Sequence, residues 1–228
     1  MSELTVPQTA ERLGIGERQV RNLVAHTRSF AARQLPSSEW LIDADSIARF
    51  ELRRRTAGRP LQPDTAWAIL YELSGVEAAG LLSRSTYSRA RNRIRDLSPT
   101  ELAVAVGART TVHRYRSANA TKAQADLVPT GRAVSGLISS DLLPDDRRVR
   151  GYLPPGVSRS DYASSHFMVE DPSGQDLLYE NTAPGGLTAP LSAVVAADLA
   201  LSTDTRERSA GLAALGALKD EWLHEHTR

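Results

Sequence analysis

With 228 residues, 41% hydrophobic and 24% charged, the chain has the composition of a globular protein of one large domain or two small ones. It contains no cysteine, which excludes disulfides and thiolate metal sites. It has no apolar run near the roughly 18 residues that span a membrane, and no charged-then-apolar signal pattern at its N-terminus. We therefore expect a cytoplasmic protein without a membrane partner.

Charge is unevenly distributed along the chain. Residues 1–100 contain 15 arginines and 11 acidic residues, a net charge of +4, whereas residues 101–228 contain 13 basic and 16 acidic residues, a net charge of −3. A basic first part and an acidic second part suit a phosphate-binding N-terminal region followed by a region with another role.

Two short helices joined by a glycine are predicted near the N-terminus. Thr5 and Pro7 are typical of a helix start, Gly14 of a helix end, and a second helix begins near Gly16. Its apolar side is formed by Val20, Leu23 and Val24, at spacings of three and four. Its polar side holds Glu17, Arg18, Gln19, Arg21 and Asn22. This arrangement indicates a helix-turn-helix whose second helix reads bases in duplex DNA.

The following segment fits a wing and a third helix. Residues 32–35 and 40–42 read as short strands joined by a turn, and Asp43 or Asp45 would cap a helix that runs into three arginines. We predict a winged helix-turn-helix over 1–57, in which the turn and the arginines touch phosphates. The residues in these two places are Ser37, Ser38, Arg53, Arg54 and Arg55. The alternatives are an interaction module or an ordinary pair of amphipathic helices.

Residues 4–50 resemble the excisionase-like and MerR-like winged helix-turn-helix families. The family form LTVxEAAxxLGVSxRTVRRLI is matched by LTVPQTAERLGIGERQVRNLV, and its RWLIDxxDVxRF by EWLIDADSIARF. Gly16 stands where the family usually has serine, and residues 26–33 form a longer insert before the wing. The resemblance implies DNA binding through the second helix.

Residues 58–98 are expected to form a helical connector. Helices are predicted over 65–73 and 86–97, and the second is surrounded by arginines. These are Arg84, Arg89, Arg91, Arg93 and Arg95. Because positions 91, 93 and 95 alternate, they do not share one helix face. The alternation argues against a DNA-facing stripe and for a solvated, partly ion-paired helix.

Residues 99–228 are expected to form an α+β interaction domain. Strands are predicted over 110–115, 133–138, 149–153, 166–170 and 177–180. A helix is predicted over 121–127, a helical turn over 158–162, and two closing helices over 191–201 and from Thr203 or Asp204 to Trp222. The fold class expected for the whole chain is therefore α+β.

No pattern of residues indicates catalysis. The chain has no Walker lysine loop, no GxGxxG after a strand and no GxSxG elbow. Its five histidines lack HExxH spacing. Asp43 and Asp45 are spaced like a metal-binding pair, but they lie at a helix start, where capping explains them. We expect no enzyme activity, no catalytic residue, no metal and no cofactor.

Two further segments resemble actinobacterial helix-turn-helix proteins related to the abortive-infection type IV antitoxins. They are GRPLQPDTAWAILYELSG at 58–75 and VVAADLALSTDTRERSAGLAAL at 194–215, the latter close to the group's ending VVAADLAESxDPRxRxAG. The resemblance implies an antitoxin that represses its own promoter through its N-terminal domain. Its C-terminal region would antagonise a nucleotidyltransferase-like toxin encoded beside it.

Other functions fit parts of the same pattern. The chain would suit a stand-alone DNA-binding regulator with a partner- or ligand-binding region, or an enzyme domain fused to a DNA-binding module. A recombination directionality factor fits less well, because the C-terminal part is long. Since one helix reads few bases, we expect either a homodimer or paired operator sites.

Overall fold

The chain folds into two units, Met1–Ala57 and Gly58–Arg228, each with its own helices and sheet. The computed structural model describes residues 3–25, 30–54, 61–76, 80–145 and 147–226. The mixture of helices and two sheets confirms the predicted α+β class. No helix in the described ranges combines the length and apolar character needed to cross a membrane.

The first unit combines three helices with a three-stranded antiparallel sheet. Its elements are β1 (Glu3–Thr5), α1 (Val6–Leu13), α2 (Glu17–Ala25), β2 (Ala32–Gln34), β3 (Trp40–Asp43) and α3 (Ala44–Arg54). β3 is central, because Ile42 pairs with Leu4 of β1 on one side and with Ala32 of β2 on the other. The sequence did not predict β1, since three residues give no periodic signal and the strand exists through its pairing with β3.

Local sequence signals fix the helix ends in this unit. The Gln8 backbone N–H donates to Thr5 Oγ1 at 3.4 Å, and the Thr5 backbone N–H donates to the Gln8 side chain at 2.9 Å, forming a capping box. Gly14 ends α1 in the left-handed conformation, with φ 62°. The Ser46 backbone N–H donates to Asp43 at the start of α3. These three predicted boundaries are confirmed.

A small apolar core lies beneath the helices of the first unit. Its buried members are Val6, Ala10, Leu13, Val20, Val24, Phe30, Ile42 and Ile47. Val20 and Val24 are the buried residues of α2. The helix therefore buries one stripe and leaves the opposite stripe in solvent, as the predicted apolar spacing requires.

The second unit wraps helices around a five-stranded sheet of order β5-β6-β8-β4-β7. Its elements are α4 (Pro63–Leu73), α5 (Arg84–Asp96), α6 (Pro99–Gly107), β4 (Val112–Ser117), α7 (Ala120–Ala125), β5 (Val128–Pro129), a 3₁₀ helix (Gly131–Ile138), β6 (Arg150–Tyr152), α8 (Arg159–Ser165), β7 (Met168–Glu170), β8 (Asp176–Tyr179), α9 (Ser192–Ala200) and α10 (Thr205–His226). The β6–β8 pair is parallel and the other pairs are antiparallel.

The sheet separates two apolar clusters. Leu178 packs with Tyr115 and the side chains near α7 and α8, whereas the neighbouring Tyr179 packs with Tyr152 and the larger helical cluster. This alternation follows from the period of two along a strand. α4 and α9 are buried on nearly all sides and form the centre of the larger cluster. The stretch expected to be a connector, 58–98, thus belongs to the second unit and supplies a central core helix.

α9 and α10 approach closely at Gly211. A Cβ at this position would lie 2.2 Å from the Ala200 backbone nitrogen and 2.6 Å from the Ala196 carbonyl oxygen. Real side chains do not tolerate such distances, so only glycine permits this crossing.

In the second unit one predicted strand is wrong and one helix was not predicted. Residues 133–138 form part of a 3₁₀ helix and not a strand. Gly131 turns the chain into it with φ 64°, and the Ser135 hydroxyl donates to the Leu142 carbonyl at 2.9 Å. A short apolar run does not distinguish such a segment from a buried strand. α6 was not predicted, although Ser98 and Glu101 form a capping box at its start.

Candidate nucleic-acid interface

The turn between α1 and α2 holds the second helix in place. The Gly14 and Ile15 backbone N–H groups donate to Glu11 and Ala10 carbonyls at 3.2 and 3.1 Å. Val20 and Val24 then anchor α2 in the core at 0% and 5% exposure. The helix is fixed by backbone bonds at one end and by packing along one side, so its polar stripe has a defined direction.

The five residues predicted on that stripe are all exposed: Glu17, Arg18, Gln19, Arg21 and Asn22. The structure brings them together on one helix, with Arg18, Arg21 and Asn22 at spacings of three and four. Within the described part of the chain, the side chains of Arg18, Gln19 and Asn22 have no hydrogen-bond or ion-pair partner. They are therefore available to an outside ligand.

Arg21 differs from Arg18 because it has a partner on its own helix. Its Nη2 lies 2.7 Å from Glu17 Oε2, with the two side chains 58% and 46% exposed. Exposed pairs at this spacing contribute about 0.3–0.5 kcal/mol. Such a pair is weak enough to exchange for a phosphate or a base edge, which bind arginine in bidentate geometry.

The predicted turn between the two strands lies at the surface. Ser37 and Ser38 are exposed, and Ser38 has φ 65°. The Leu35 backbone N–H donates to the Glu39 carbonyl at 2.8 Å and closes the turn. The hydroxyls can reach a phosphate, whereas the exposed carboxylate of Glu39 beside them opposes such a contact.

Arg53, Arg54 and Arg55 cannot be placed in the same way. The backbone of Arg53 and Arg54 ends α3, but their side chains, like the whole of Arg55, lie outside the described residues. The predicted phosphate contacts at these three positions stay predictions.

Two ion pairs in the first unit escaped sequence reasoning. Arg12 Nη2 lies 3.0 Å from Glu51 Oε2 and links α1 to α3. Arg33 Nη2 lies 2.8 Å from Glu3 Oε2, and the hydrogen bond from Arg33 lowers the pKa of Glu3. The partners are 39 and 30 residues apart, so no local spacing signals them. These two arginines support the scaffold and are distinct from those on α2.

A buried ionic cluster in the second unit also went unpredicted. Arg109 is 2% exposed, forms an ion pair with Asp198 and donates to the Tyr152 hydroxyl at 2.6 Å. Tyr152 donates to Asp198 at 3.0 Å, and Thr130 donates to the same carboxylate at 2.6 Å. The cluster joins four separate segments of the chain, which places it within the core.

The protonation states in this cluster favour a structural role. Burial raises the pKa of Tyr152 well above its ordinary value, so the phenol stays neutral and donates to Asp198. Burial would lower the pKa of Arg109, but the Tyr152 and Asp198 oxygens outweigh it and raise that pKa. The guanidinium, its Nε without a partner in the described chain, sits 5.5 Å from the Trp67 ring centroid. Every Asp198 oxygen is already bonded within the fold.

In the part of the chain that the structure describes, two histidines each lie beside a single carboxylate. His113 Nε2 lies 2.9 Å from Glu180, and His166 Nε2 lies 3.3 Å from Asp126. Among the described residues, no group of three or more histidine, cysteine or acidic side chains is arranged to hold a metal.

Comparison of the chain with protein families, curated proteins and solved structures finds no significant match.

Proposed function

We propose that the first unit is a winged helix-turn-helix that binds duplex DNA and that the protein regulates transcription. In this proposal α2 enters the major groove and the turn between β2 and β3 lies against the phosphate backbone. The observation that carries it is the exposed face of α2, where Arg18, Gln19 and Asn22 lack partners in the described chain.

The side chains on α2 match the chemistry of base edges. Arginine donates to guanine O6 and N7, while glutamine and asparagine pair with adenine N6 and N7. Arg18 and Arg21 would therefore favour guanine, and Gln19 and Asn22 adenine. Because one such helix reads few bases, the proposal includes a homodimer or two adjacent operator sites.

The attraction to DNA is local and does not come from the net charge of the unit. Residues 1–57 contain nine arginines and seven acidic residues. Glu3 and Glu51 are each paired with an arginine outside α2, Arg33 and Arg12 respectively. The charge of Arg18 therefore faces solvent without a carboxylate bonded to it.

The antitoxin role is proposed on the resemblance of residues 58–75 and 194–215 to the abortive-infection type IV antitoxins. In this proposal the DNA-binding unit represses the promoter of its own operon. The second unit antagonises a nucleotidyltransferase-like toxin from the neighbouring gene. The alternative is a stand-alone regulator whose second unit binds another partner or a ligand.

Replacement of Arg18 and Arg21 by alanine tests DNA binding. Binding to the upstream region of the gene would be measured by fluorescence anisotropy between about 50 and 200 mM salt. We expect binding weaker by about 1–3 kcal/mol for each lost guanine contact, together with a flatter salt dependence.

The matched control is the double change Arg116→Ala and Arg147→Ala, which removes the same charge from exposed positions in the second unit. It should leave the affinity for the upstream region nearly unchanged. Equal affinities and slopes for the wild type and the α2 variant would reject α2 as the DNA-reading helix.

Co-expression with the neighbouring gene tests the antitoxin role. If that gene encodes a nucleotidyltransferase-like toxin, the wild-type protein should restore growth, and the Arg18→Ala/Arg21→Ala variant should also restore it under a heterologous promoter. Failure of the wild type to restore growth would reject the antitoxin role and leave the regulator.

A further inference from the structure

α5 presents an unusual concentration of positive charge at the surface of the second unit. Its five arginines are exposed, and Asp96 in the last turn is its one acidic residue. The buried side of the helix consists of Thr86, Ala90 and Ile94. The remaining surface therefore faces solvent with an excess of guanidinium groups.

Two of the five arginines are engaged by neighbours. Arg91 Nη2 lies 2.9 Å from Glu72 Oε1. The Arg95 guanidinium sits 5.4 Å from the Trp222 ring centroid and donates to Asn92 at 3.3 Å. The sequence-based expectation of a partly ion-paired helix applies to this side of α5.

The other three arginines have no bonded carboxylate. The side chains of Arg84 and Arg93 have no hydrogen-bond or ion-pair partner in the described ranges. Arg89 donates to the Ser85 carbonyl at 3.3 Å and to Thr86 Oγ1 at 3.2 Å, and both of these acceptors are neutral. Three positive charges thus have no bonded carboxylate among the described residues.

Two other exposed arginines of the same unit each have a carboxylate partner. Arg116, 75% exposed, lies 2.7 Å from Asp171, and Arg147, 85% exposed, lies 3.1 Å from Asp145. Exposure alone therefore does not leave an arginine of this unit without a carboxylate. Arg148, in a loop, is exposed and also has no bonded carboxylate in the described chain, whereas α5 carries three such arginines on one helix.

The helical geometry places these three charges on two flanks of the exposed face. At about 100° per residue, Arg89 and Arg93 fall on one flank and Arg84 on the other. The short polar residues Ser88 and Asn92 lie between the flanks, and Asp96 in the last turn lies on the side of Arg89. A helix with its side chains is about 10–12 Å wide, close to the ~12 Å width of a DNA major groove. The flanks can then meet phosphates on both rims of such a groove.

We propose that the exposed face of α5 binds the phosphate backbone of nucleic acid through Arg84, Arg89 and Arg93. Guanidinium groups bind phosphate oxygens in bidentate geometry, and each such contact releases condensed counterions. The contact carries no sequence information by itself. It belongs to the second unit and does not depend on whether α2 reads DNA.

The test replaces Arg89 and Arg93 by glutamine, which keeps good helix propensity and removes both charges. Binding of the full chain to duplex DNA and to a folded RNA hairpin would be measured by fluorescence anisotropy. Two lost phosphate contacts correspond to a salt slope shallower by about 1.8. Between about 50 and 200 mM salt, the wild-type affinity should therefore fall about tenfold more than that of the variant. Arg84→Gln should give about half that change in slope.

The charge-matched control is Arg116→Gln/Arg147→Gln, which should leave the slope unchanged. The ligand that shows the larger change in salt slope, DNA or RNA, identifies which nucleic acid supplies the phosphates. An unchanged slope on both ligands, or an equal change in the control, would overturn the proposal. So would unchanged nucleic-acid binding with loss of a co-purifying acidic protein, which would assign α5 to a protein partner.

The two proposals fail separately. If Arg18→Ala/Arg21→Ala has no effect while Arg89→Gln/Arg93→Gln flattens the salt slope, the function of α2 is rejected and that of α5 stands. The reverse result rejects α5 and leaves the DNA-reading role of α2.

Discussion

Arg18 in the first unit and Arg109 in the second unit are chemically the same residue in opposite settings. Arg18 lies on the exposed stripe of α2, without a bonded partner in the described chain. Arg109 is 2% exposed and is held by Asp198 and Tyr152. A buried charge must be compensated within the fold, whereas an exposed charged group is solvated and can bind a ligand. Burial and partners therefore separate a structural arginine from a candidate binding residue.

The two units also differ in where their ion pairs lie. The first unit has an apolar core and keeps its described ion pairs at the surface, while the second unit encloses an ionic cluster. Changes in this ionic cluster should therefore act on folding, and changes on α2 on binding. Three substitutions, ordered by expected effect, test this contrast.

Asp198→Ala should have the largest effect, because it leaves the Arg109 charge buried without its carboxylate. Breaking a buried ion pair in this way costs about 3–5 kcal/mol. The free energy of unfolding from urea denaturation measures the loss. The double variant Arg109→Met/Asp198→Leu should lose less than the single one, since it removes both charges. A loss below about 1 kcal/mol for Asp198→Ala would contradict the structural role of the cluster.

Ile42→Ala should destabilise the first unit through its apolar core. Ile42 is 0% exposed, and an isoleucine-to-alanine change at such a site costs about 2–5 kcal/mol. Amide hydrogen exchange on the full chain should show faster exchange in α1 and α2. The matched control is Ile94→Ala, also 0% exposed, which should accelerate exchange in the second unit. Equal acceleration of both units by Ile42→Ala would contradict independent cores.

Glu17→Gln should have the smallest effect on folding and a visible effect on binding. It removes an exposed pair with Arg21 that contributes at most about 0.5 kcal/mol. It also removes a negative charge from the stripe that would face DNA, so affinity for the upstream region should rise. A thermal melt and the anisotropy assay measure the two quantities. Weaker DNA binding by this variant would argue against a groove contact at α2.

Sequence reasoning succeeded where the deciding interactions are local. The Thr5 cap, the Gly14 end of α1 and the apolar stripe of α2 depend on residues within a turn or two of each other. The exposure of the five polar residues on α2 follows from the burial of Val20 and Val24. Their role in DNA binding stays a proposal.

Sequence reasoning failed where the deciding partner is distant. The apolar residues 133–138 form a 3₁₀ helix because of their surroundings, and β1 exists through its pairing with β3. The alternating arginines of α5 gave no indication of which ones are paired. Arg91 pairs with Glu72, and Arg95 contacts Trp222, which is more than a hundred positions away in the sequence.

The sequence by itself determined the ends of α1 and the polar stripe of α2. Capping, glycine turns and apolar spacing act over a few residues, so local sequence is enough to specify them. The tertiary structure alone decided which charged groups are enclosed and which are free. Arg109, Thr130, Tyr152 and Asp198 meet only when four segments of the second unit pack together. Whether a charged group is enclosed or exposed depends on burial and on long-range pairing, and local spacing encodes neither of them.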